Sequence, residues 1–141
     1  MATKLPQDFK EFLKLLADHK IDYLLVGGYA VGFYGYVRAT ADIDIWVRNE
    51  KSNAERLVVA LREFGFAMES IVPSMFLKVD NIVRLGQPPF RIELMTAISG
   101  VIFDECFERA KVETLDGIDV KIISLEDLRA NKRAAGRHKD L

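Results

Sequence analysis

Cysteine is almost absent from the 141-residue sequence, in which Cys106 is the only one. A single thiol excludes an intramolecular disulfide, which fits a reducing compartment. Long apolar runs are also missing, since none approaches the roughly 20 residues that a membrane helix needs. The N-terminal sequence MATKLPQDFKEF has no apolar signal core. We therefore predict a cytoplasmic protein with no membrane partner.

A strong net charge is missing as well. The formal charge is −1 at pH 7, so the overall charge gives no sign of a nucleic-acid-binding protein. A local exception is a basic patch near the C-terminus, formed by Lys132, Arg133, Arg137, His138 and Lys139. Half of the residues are hydrophobic, which is ordinary for a folded chain. The length predicts a single domain over residues 1–141.

Apolar spacing and turn residues predict a chain that mixes helices and strands. Periodicity favours helices over residues 7–20, 29–36 and 103–109, a third helix that follows Asn49 or Ser52 and runs to about Phe64, and a last helix after Ser124, where SLED resembles a capping box. Strands are predicted over residues 23–26, 42–47, 90–96, 111–115 and 118–123, with one or two more within 75–85. Asn49 or Ser52 is the expected N-cap of the third helix, and Gly65 its C-cap. The order indicates an α/β (α+β) fold with a mixed sheet flanked by helices.

Two aspartates on one predicted strand are the first candidate site residues. Side chains alternate along a strand, so Asp42 and Asp44 face the same way while Ile43 and Ile45 point into the core. At ~6 Å and an effective dielectric of 20, two such carboxylates repel each other by about 3 kcal/mol. A divalent cation would relieve this repulsion, and oxygen ligands suit Mg²⁺. The alternative is a solvated face of an edge strand.

A glycine pair precedes these aspartates. Gly27 and Gly28 end a buried strand, and thirteen residues separate them from Asp42. Glycine lets the backbone approach a phosphate closely. An ordinary strand-to-helix turn is the alternative. Arg38 and Thr40 lie just before the acidic strand and are further candidates for triphosphate contacts. The alternatives are a surface role for the arginine and an ordinary place in a strand for the threonine.

Glu93 lies on a later predicted strand, on the face opposite Ile92 and Leu94. If that strand pairs beside the one with Asp42, Glu93 completes a carboxylate triad. Such a triad can hold two metal ions ~3.5–4 Å apart in a phosphoryl-type transfer. The alternative is an ion pair between Glu93 and Arg91.

These motifs resemble a known superfamily. The sequence LVGG, thirteen further residues and then DIDI is similar to the signature of the DNA polymerase β-like nucleotidyltransferases. Within it, GGYAVGFYGYVRATADIDIWV resembles the AbiEii/AbiGii toxin-type bacterial nucleotidyltransferase-like proteins. The strings FRIELMTAISG and ISLEDLRANKRAAGRHKDL are similar to the third-acid strand and the basic C-terminal helix of that group.

The resemblance implies a small mixed sheet flanked by helices, with Gly27 and Gly28 at the triphosphate of a nucleotide. It implies Asp42, Asp44 and Glu93 as catalytic metal ligands and Lys132 as a phosphate contact. Two departures from the superfamily pattern concern these residues. Many members have Gly-Ser where this chain has Gly-Gly, and the third acid is often Asp.

The predicted function is the transfer of a nucleoside monophosphate from an NTP to a hydroxyl of a protein, RNA or small molecule, with Mg²⁺ as cofactor and pyrophosphate as product. A second hypothesis is a nucleotide-binding or regulatory module without turnover, as part of a toxin–antitoxin pair. A third is nucleic-acid binding through the basic C-terminal helix. The sequence is compatible with a homodimer and with binding to an antitoxin partner.

Overall fold

A computed structural model describes residues 4–36 and 42–136. Its strands form one six-stranded sheet in the order β3-β4-β2-β1-β6-β5. The strands are β1 (Tyr23–Val26), β2 (Ile43–Val47), β3 (Ile82–Leu85), β4 (Ile92–Met95), β5 (Lys111–Leu115) and β6 (Ile118–Ile122). The helices are α1 (Gln7–Asp18), α2 (Gly27–Phe33), α3 (Lys51–Phe64), α4 (Phe103–Arg109) and α5 (Leu125–Ala134), with a 3₁₀ turn at Pro73–Phe76. The predicted mixed α+β fold is confirmed.

The sheet consists of antiparallel pairs joined by parallel pairings. β1 pairs with β2, β3 with β4, and β5 with β6, each antiparallel. β2 and β4 then run parallel, as do β1 and β6. The pair β1–β2 therefore lies in the centre, with one pair on either side.

Both faces of the central strands are covered. Ile43 and Ile45 have no exposed surface, as their alternation with the aspartates predicts. On the opposite face, Trp46 is 2% exposed and makes an edge contact with Phe103 of α4, at 5.1 Å between ring centroids. No helix of the described residues is long and apolar enough to cross a membrane.

The start of α3 differs from the prediction. Its N-cap is Glu50, whose carboxylate accepts hydrogen bonds from the backbone N–H groups of Ser52 at 3.2 Å and Asn53 at 2.9 Å. The prediction of Asn49 or Ser52 was wrong because the Asn49 amide instead donates to the Lys78 carbonyl at 2.8 Å. The cap hydrogen bonds hold the pKa of Glu50 below its usual value. Gly65 ends the helix as predicted, with φ of 125°.

The segment predicted to hold one or two strands, residues 75–85, contains only β3. Before it, Pro73 is the first residue of the 3₁₀ turn, because its ring fixes φ near the helical value. The turn buries Phe76 completely. Val79 is 88% exposed and follows no strand alternation. Smaller shifts occur elsewhere, since β2 begins after Asp42 and α2 already begins at Gly27.

Candidate active site

Gly27 and Asp44 meet at the end of β1. Asp44 is the register partner of Val26, so the residue after Val26 lies directly beside it. Gly27 has φ of 67°, and a Cβ atom on it would lie 2.0 Å from Asp44 Oδ2. Only glycine fits such a place, both for its backbone conformation and for its lack of a side chain. The backbone of the glycine pair therefore lies directly against a carboxylate of the predicted site.

Asp44 and Glu93 are direct neighbours. β2 and β4 are parallel, with Asp44 paired to Glu93 and Ile45 to Leu94. Paired residues on adjacent strands point to the same face, with the strands about 4.8 Å apart. The pairing on which the predicted triad depended is thus present, and the two carboxylates share the face opposite Ile43 and Ile45.

Asp42 lies just before β2 and is held by an arginine. Arg91 donates to Asp42 Oδ2 from Nε at 3.1 Å and from Nη2 at 2.9 Å. This pairing raises the pKa of the Arg91 guanidinium. The backbone continues the parallel register here, because the Ile43 N–H donates to the Arg91 carbonyl at 3.1 Å.

Two arginines approach Glu93. Arg91 Nη2 lies 3.8 Å from Glu93 Oε2, and Arg84 Nε of the neighbouring strand lies 3.4 Å from the same oxygen. The alternative prediction was an ion pair between Glu93 and Arg91. The two side chains do approach each other, but only at long range, because Arg91 lies closer to Asp42. Sequence reasoning did not identify Arg84 or the Arg91–Asp42 pair. Arg91 and Glu93 alternate around Ile92, which signals charged groups on one face, whereas β3 has the sequence IVRL and contains no acid that could signal the contact of Arg84.

The carboxylates on this face fit a magnesium ion whose remaining ligands are oxygens of substrate phosphates. Mg²⁺ commonly takes one or two carboxylates and several phosphate or water oxygens, and Asp44 and Glu93 are two neighbouring carboxylates. A three-residue cage is not preassembled, because residues 4–36 and 42–136 contain no group of three or more His, Cys, Asp or Glu arranged to hold a metal. Asp42 is the carboxylate in the arginine pair. The metal-ligand roles of Asp42, Asp44 and Glu93 stay predictions.

Tyr29 of α2 lines the same corner. Its side chain is largely buried and makes an edge contact with Phe9 at 5.9 Å. Burial, and then the negative charge of Asp42, raise the pKa of the Tyr29 hydroxyl. The phenol therefore stays protonated at neutral pH.

The remaining predicted nucleotide contacts are spread out. Lys132 of α5 is 5% exposed and lines a cleft on the β3–β4 side of the sheet. Gly28 is buried in the first turn of α2. Arg38 and Thr40 lie outside the described residues, as do Arg137, His138 and Lys139 of the basic patch.

Comparison with known families decides the class of the protein. Residues 6–141 match the family described as "Nucleotidyl transferase of unknown function (DUF2204)". The chain belongs to this family. The superfamily level of the resemblance is thereby confirmed, while the narrower likeness to the AbiEii/AbiGii group stays a prediction.

A solved structure supports the fold of this nucleotidyl transferase family member. The crystal structure of a "putative nucleotidyltransferase" from Thermotoga maritima superposes with a TM-score of 0.66 at 16% sequence identity. The match covers 93% of this chain and 84% of that chain. At this identity the match establishes the shared fold alone. No curated protein matches the sequence.

Proposed function

We propose that this chain transfers a nucleoside monophosphate from an NTP to a hydroxyl acceptor and releases pyrophosphate. The observation that carries the proposal is the row formed by Gly27 just after β1, Asp44 on β2 and Glu93 on β4. Membership of a nucleotidyl transferase family supports the same reaction class.

The residues have distinct proposed roles. Asp44 and Glu93, joined by Asp42 when Arg91 releases it, would hold Mg²⁺. The ion would offset the charge of the triphosphate and of the leaving pyrophosphate. The backbone of Gly27 and Gly28 would face the phosphates, with Arg38, Thr40 and Lys132 as further proposed nucleotide contacts.

The transfer forms one bond and breaks one. The acceptor oxygen attacks the α-phosphorus, and the bond from that phosphorus to the oxygen bridging to the β-phosphate breaks. The departing oxygen leaves with pyrophosphate and keeps the bond electrons. Glu93 is the proposed base that takes the hydroxyl proton, because its carboxylate lies beside Asp44 on the adjacent strand.

Binding of the four NTPs by calorimetry tests the first half of the proposal. We expect one or more NTPs to bind in Mg²⁺, and this binding to be lost in EDTA and in Asp44→Asn. The matched control is Asp119→Asn, which changes an exposed aspartate of β6 in the same way. NTP binding that survives both EDTA and Asp44→Asn would overturn the site assignment.

Pyrophosphate release tests the second half. Turnover with an acceptor that disappears in Asp44→Asn supports the enzyme. Metal-dependent NTP binding without pyrophosphate release, across protein, RNA and small-molecule acceptors, would instead favour the nucleotide-binding module without turnover.

A further inference from the structure

Arg91 lies between two carboxylates of the candidate site and is bound to one of them. Its Nη2 atom is 2.9 Å from Asp42 Oδ2 and 3.8 Å from Glu93 Oε2, and its Nε atom is 3.1 Å from the same Asp42 oxygen. A guanidinium carries five N–H donors in a planar fork, and this geometry also suits the oxygens of a phosphate. The fork is thus occupied by a carboxylate of the site itself.

The guanidinium lies at the end of the sheet that carries the glycine turn. β1 ends just before Gly27, whereas β2 and β4 begin just after Asp42 and Arg91. Because β1 is antiparallel to β2 and β2 is parallel to β4, these three points meet at one end of the sheet. Asp44, two residues after Asp42, lies directly against Gly27. The proposed phosphate site and the Arg91–Asp42 ion pair are therefore adjacent.

Asp42 cannot serve the arginine and a metal ion at once. Both hydrogen bonds from Arg91 go to Oδ2 of Asp42, and a guanidinium this close would repel a divalent cation bound to that carboxylate. A metal that uses Asp42 therefore has to displace Arg91. The pair is exposed enough to exchange, since the Arg91 side chain is 35% exposed and the Asp42 side chain 21%.

A displaced Arg91 would need a new anion. The other acids whose charge acts on it are Glu93, at 3.8 Å, and Asp44. Both are proposed metal ligands, so the cation would neutralise them as well. The triphosphate is the anion that arrives with the metal, and its oxygens can accept two parallel hydrogen bonds from a guanidinium. The nucleotide is therefore the partner that the geometry favours.

We propose that Arg91 is a ligand of the nucleotide phosphates, and that Asp42 holds it until the metal and the nucleotide bind. The inference rests on the proposed function and adds a nucleotide contact to it. On binding, the phosphates take the guanidinium, and Asp42 is released from the ion pair to help hold Mg²⁺. Because such coupling is reciprocal, the nucleotide should raise the affinity for Mg²⁺ by the same factor by which Mg²⁺ raises the affinity for the nucleotide.

The test measures two affinities of one variant, Arg91→Gln. Calorimetry of the full chain gives the affinity for Mg²⁺ alone, and then the affinity for an NTP at saturating Mg²⁺ with no acceptor present. We expect the two affinities to change in opposite directions. Mg²⁺ binding should tighten several-fold because Asp42 loses its competing partner, whereas NTP binding should weaken about tenfold because the phosphates lose a charge-assisted contact.

Other roles of Arg91 predict other pairs of changes. An arginine that only positions Asp42 predicts that both affinities fall. An arginine that only blocks the metal predicts tighter Mg²⁺ binding with an NTP affinity that is unchanged or raised. Either result would overturn the proposal, and so would weaker NTP binding with no gain in the affinity for Mg²⁺.

Asp42→Asn shows whether both effects pass through the same ion pair. In this background, Arg91→Gln should no longer raise the affinity for Mg²⁺, because the carboxylate for which the two cations compete is gone. It should still weaken NTP binding. A gain in Mg²⁺ affinity of the same size with and without Asp42 would contradict the exchange.

Arg62→Gln is the matched control, since it changes an exposed arginine of α3 that donates to the Ile71 carbonyl at 3.2 Å. Neither affinity should change in it. Thermal unfolding checks the fold of each variant. If Arg91→Gln does not fold, Arg91→Lys replaces it, because a lysine keeps the charge without the planar fork and should still weaken NTP binding.

The outcomes separate this inference from the proposed function. A wild-type chain that binds no NTP in Mg²⁺ would defeat the proposed function and the inference with it. NTP binding that depends on Mg²⁺ and on Asp44, but not on Arg91, would overturn the inference alone.

Discussion

The carboxylate of Asp44 occupies the space in which Gly27 would carry a side chain, since an added Cβ atom would lie 2.0 Å from Oδ2. Gly27→Ala therefore has to push Asp44 out of its row. We expect this variant to lose metal-dependent NTP binding and to be less stable than a positive φ alone explains. Calorimetry and urea unfolding measure the two effects.

Gly117→Ala is the matched control for that variant. Gly117 also has a positive φ, of 84°, but an added Cβ there meets no atom within 4 Å. The backbone strain alone should cost about 1–2 kcal/mol, without loss of NTP binding. Equal stability losses in the two variants would show that Asp44 moves aside freely.

We expect Arg91 to compete with a metal ion for Asp42. Its two hydrogen bonds to Oδ2 neutralise a carboxylate that a cation would otherwise attract. Arg91→Gln should therefore tighten Mg²⁺ binding in the absence of nucleotide by several-fold, because it removes a partly exposed ion pair that holds the Asp42 carboxylate. Calorimetric titration with Mg²⁺ alone measures the change.

Arg84→Gln is the comparison for Arg91. The Arg84 side chain is 55% exposed against 35% for Arg91, and its contact with Glu93 is longer, at 3.4 Å. We expect a smaller gain in Mg²⁺ affinity. Weaker Mg²⁺ binding in Arg91→Gln would mean that Arg91 holds Asp42 in its binding position.

Asp127 gives the fold an acid-sensitive contact. Its carboxylate accepts hydrogen bonds from Arg109 at 2.9 and 3.0 Å and one from the Ser124 hydroxyl at 3.0 Å. The hydrogen bonds from Arg109 are the main reason why the pKa of Asp127 is lowered. A lowered pKa means that the contact stabilises the fold fully above the unfolded value near 4, and that this contribution is lost as the pH falls through the folded value.

Asp127→Asn tests this acid sensitivity. At pH 7 we expect a loss of about 1–3 kcal/mol in the free energy of unfolding. The difference from wild type should shrink as the pH is lowered below about 4. Denaturant unfolding at several pH values measures it, with the exposed Asp18→Asn as control. A difference that does not depend on pH would contradict the assigned role of the charge.

Asn53 joins α3 to the start of β1 and the end of β2. Its side chain is 1% exposed, accepts from the Asp22 N–H at 2.8 Å and donates to the carbonyls of Asp22 at 3.1 Å and Arg48 at 3.0 Å. Asn53→Ala should cost about 2–3 kcal/mol, because buried backbone groups lose their partners. Asn49→Ala removes one exposed hydrogen bond and should cost less than about 1 kcal/mol. If urea unfolding gave similar losses of stability for the two variants, burial would not be what sets the cost.

Local features of the fold could be predicted because their causes lie within a few residues. The bounds of α4 are those that apolar spacing predicts, and the β5–β6 hairpin turns at Asp116 and Gly117. Ser124 caps α5 as the SLED motif indicates, by accepting the Asp127 N–H at 3.1 Å. Alternation alone also separates Asp44 and Glu93 from the buried isoleucines.

Contacts between distant segments could not be predicted in the same way. Whether β4 lies beside β2, and in which direction, depends on packing between segments about fifty residues apart. The parallel direction is what brings Arg91 to Asp42. The cleft is a further case, because it depends on where α5 returns across β3 and β4. Neither relation leaves a periodic signal in the sequence.

The central place of the β1–β2 pair has a consequence for the order in which the site is completed during synthesis. Gly27 and Asp44 are synthesised first, and both outer edges of the β1–β2 pair stay unpaired until the later strands leave the ribosome. The β3–β4 pair then closes one edge and brings Glu93, and the β5–β6 pair closes the other and leads into α5. A nascent chain arrested before β4 would thus hold the glycine–aspartate corner without its third carboxylate.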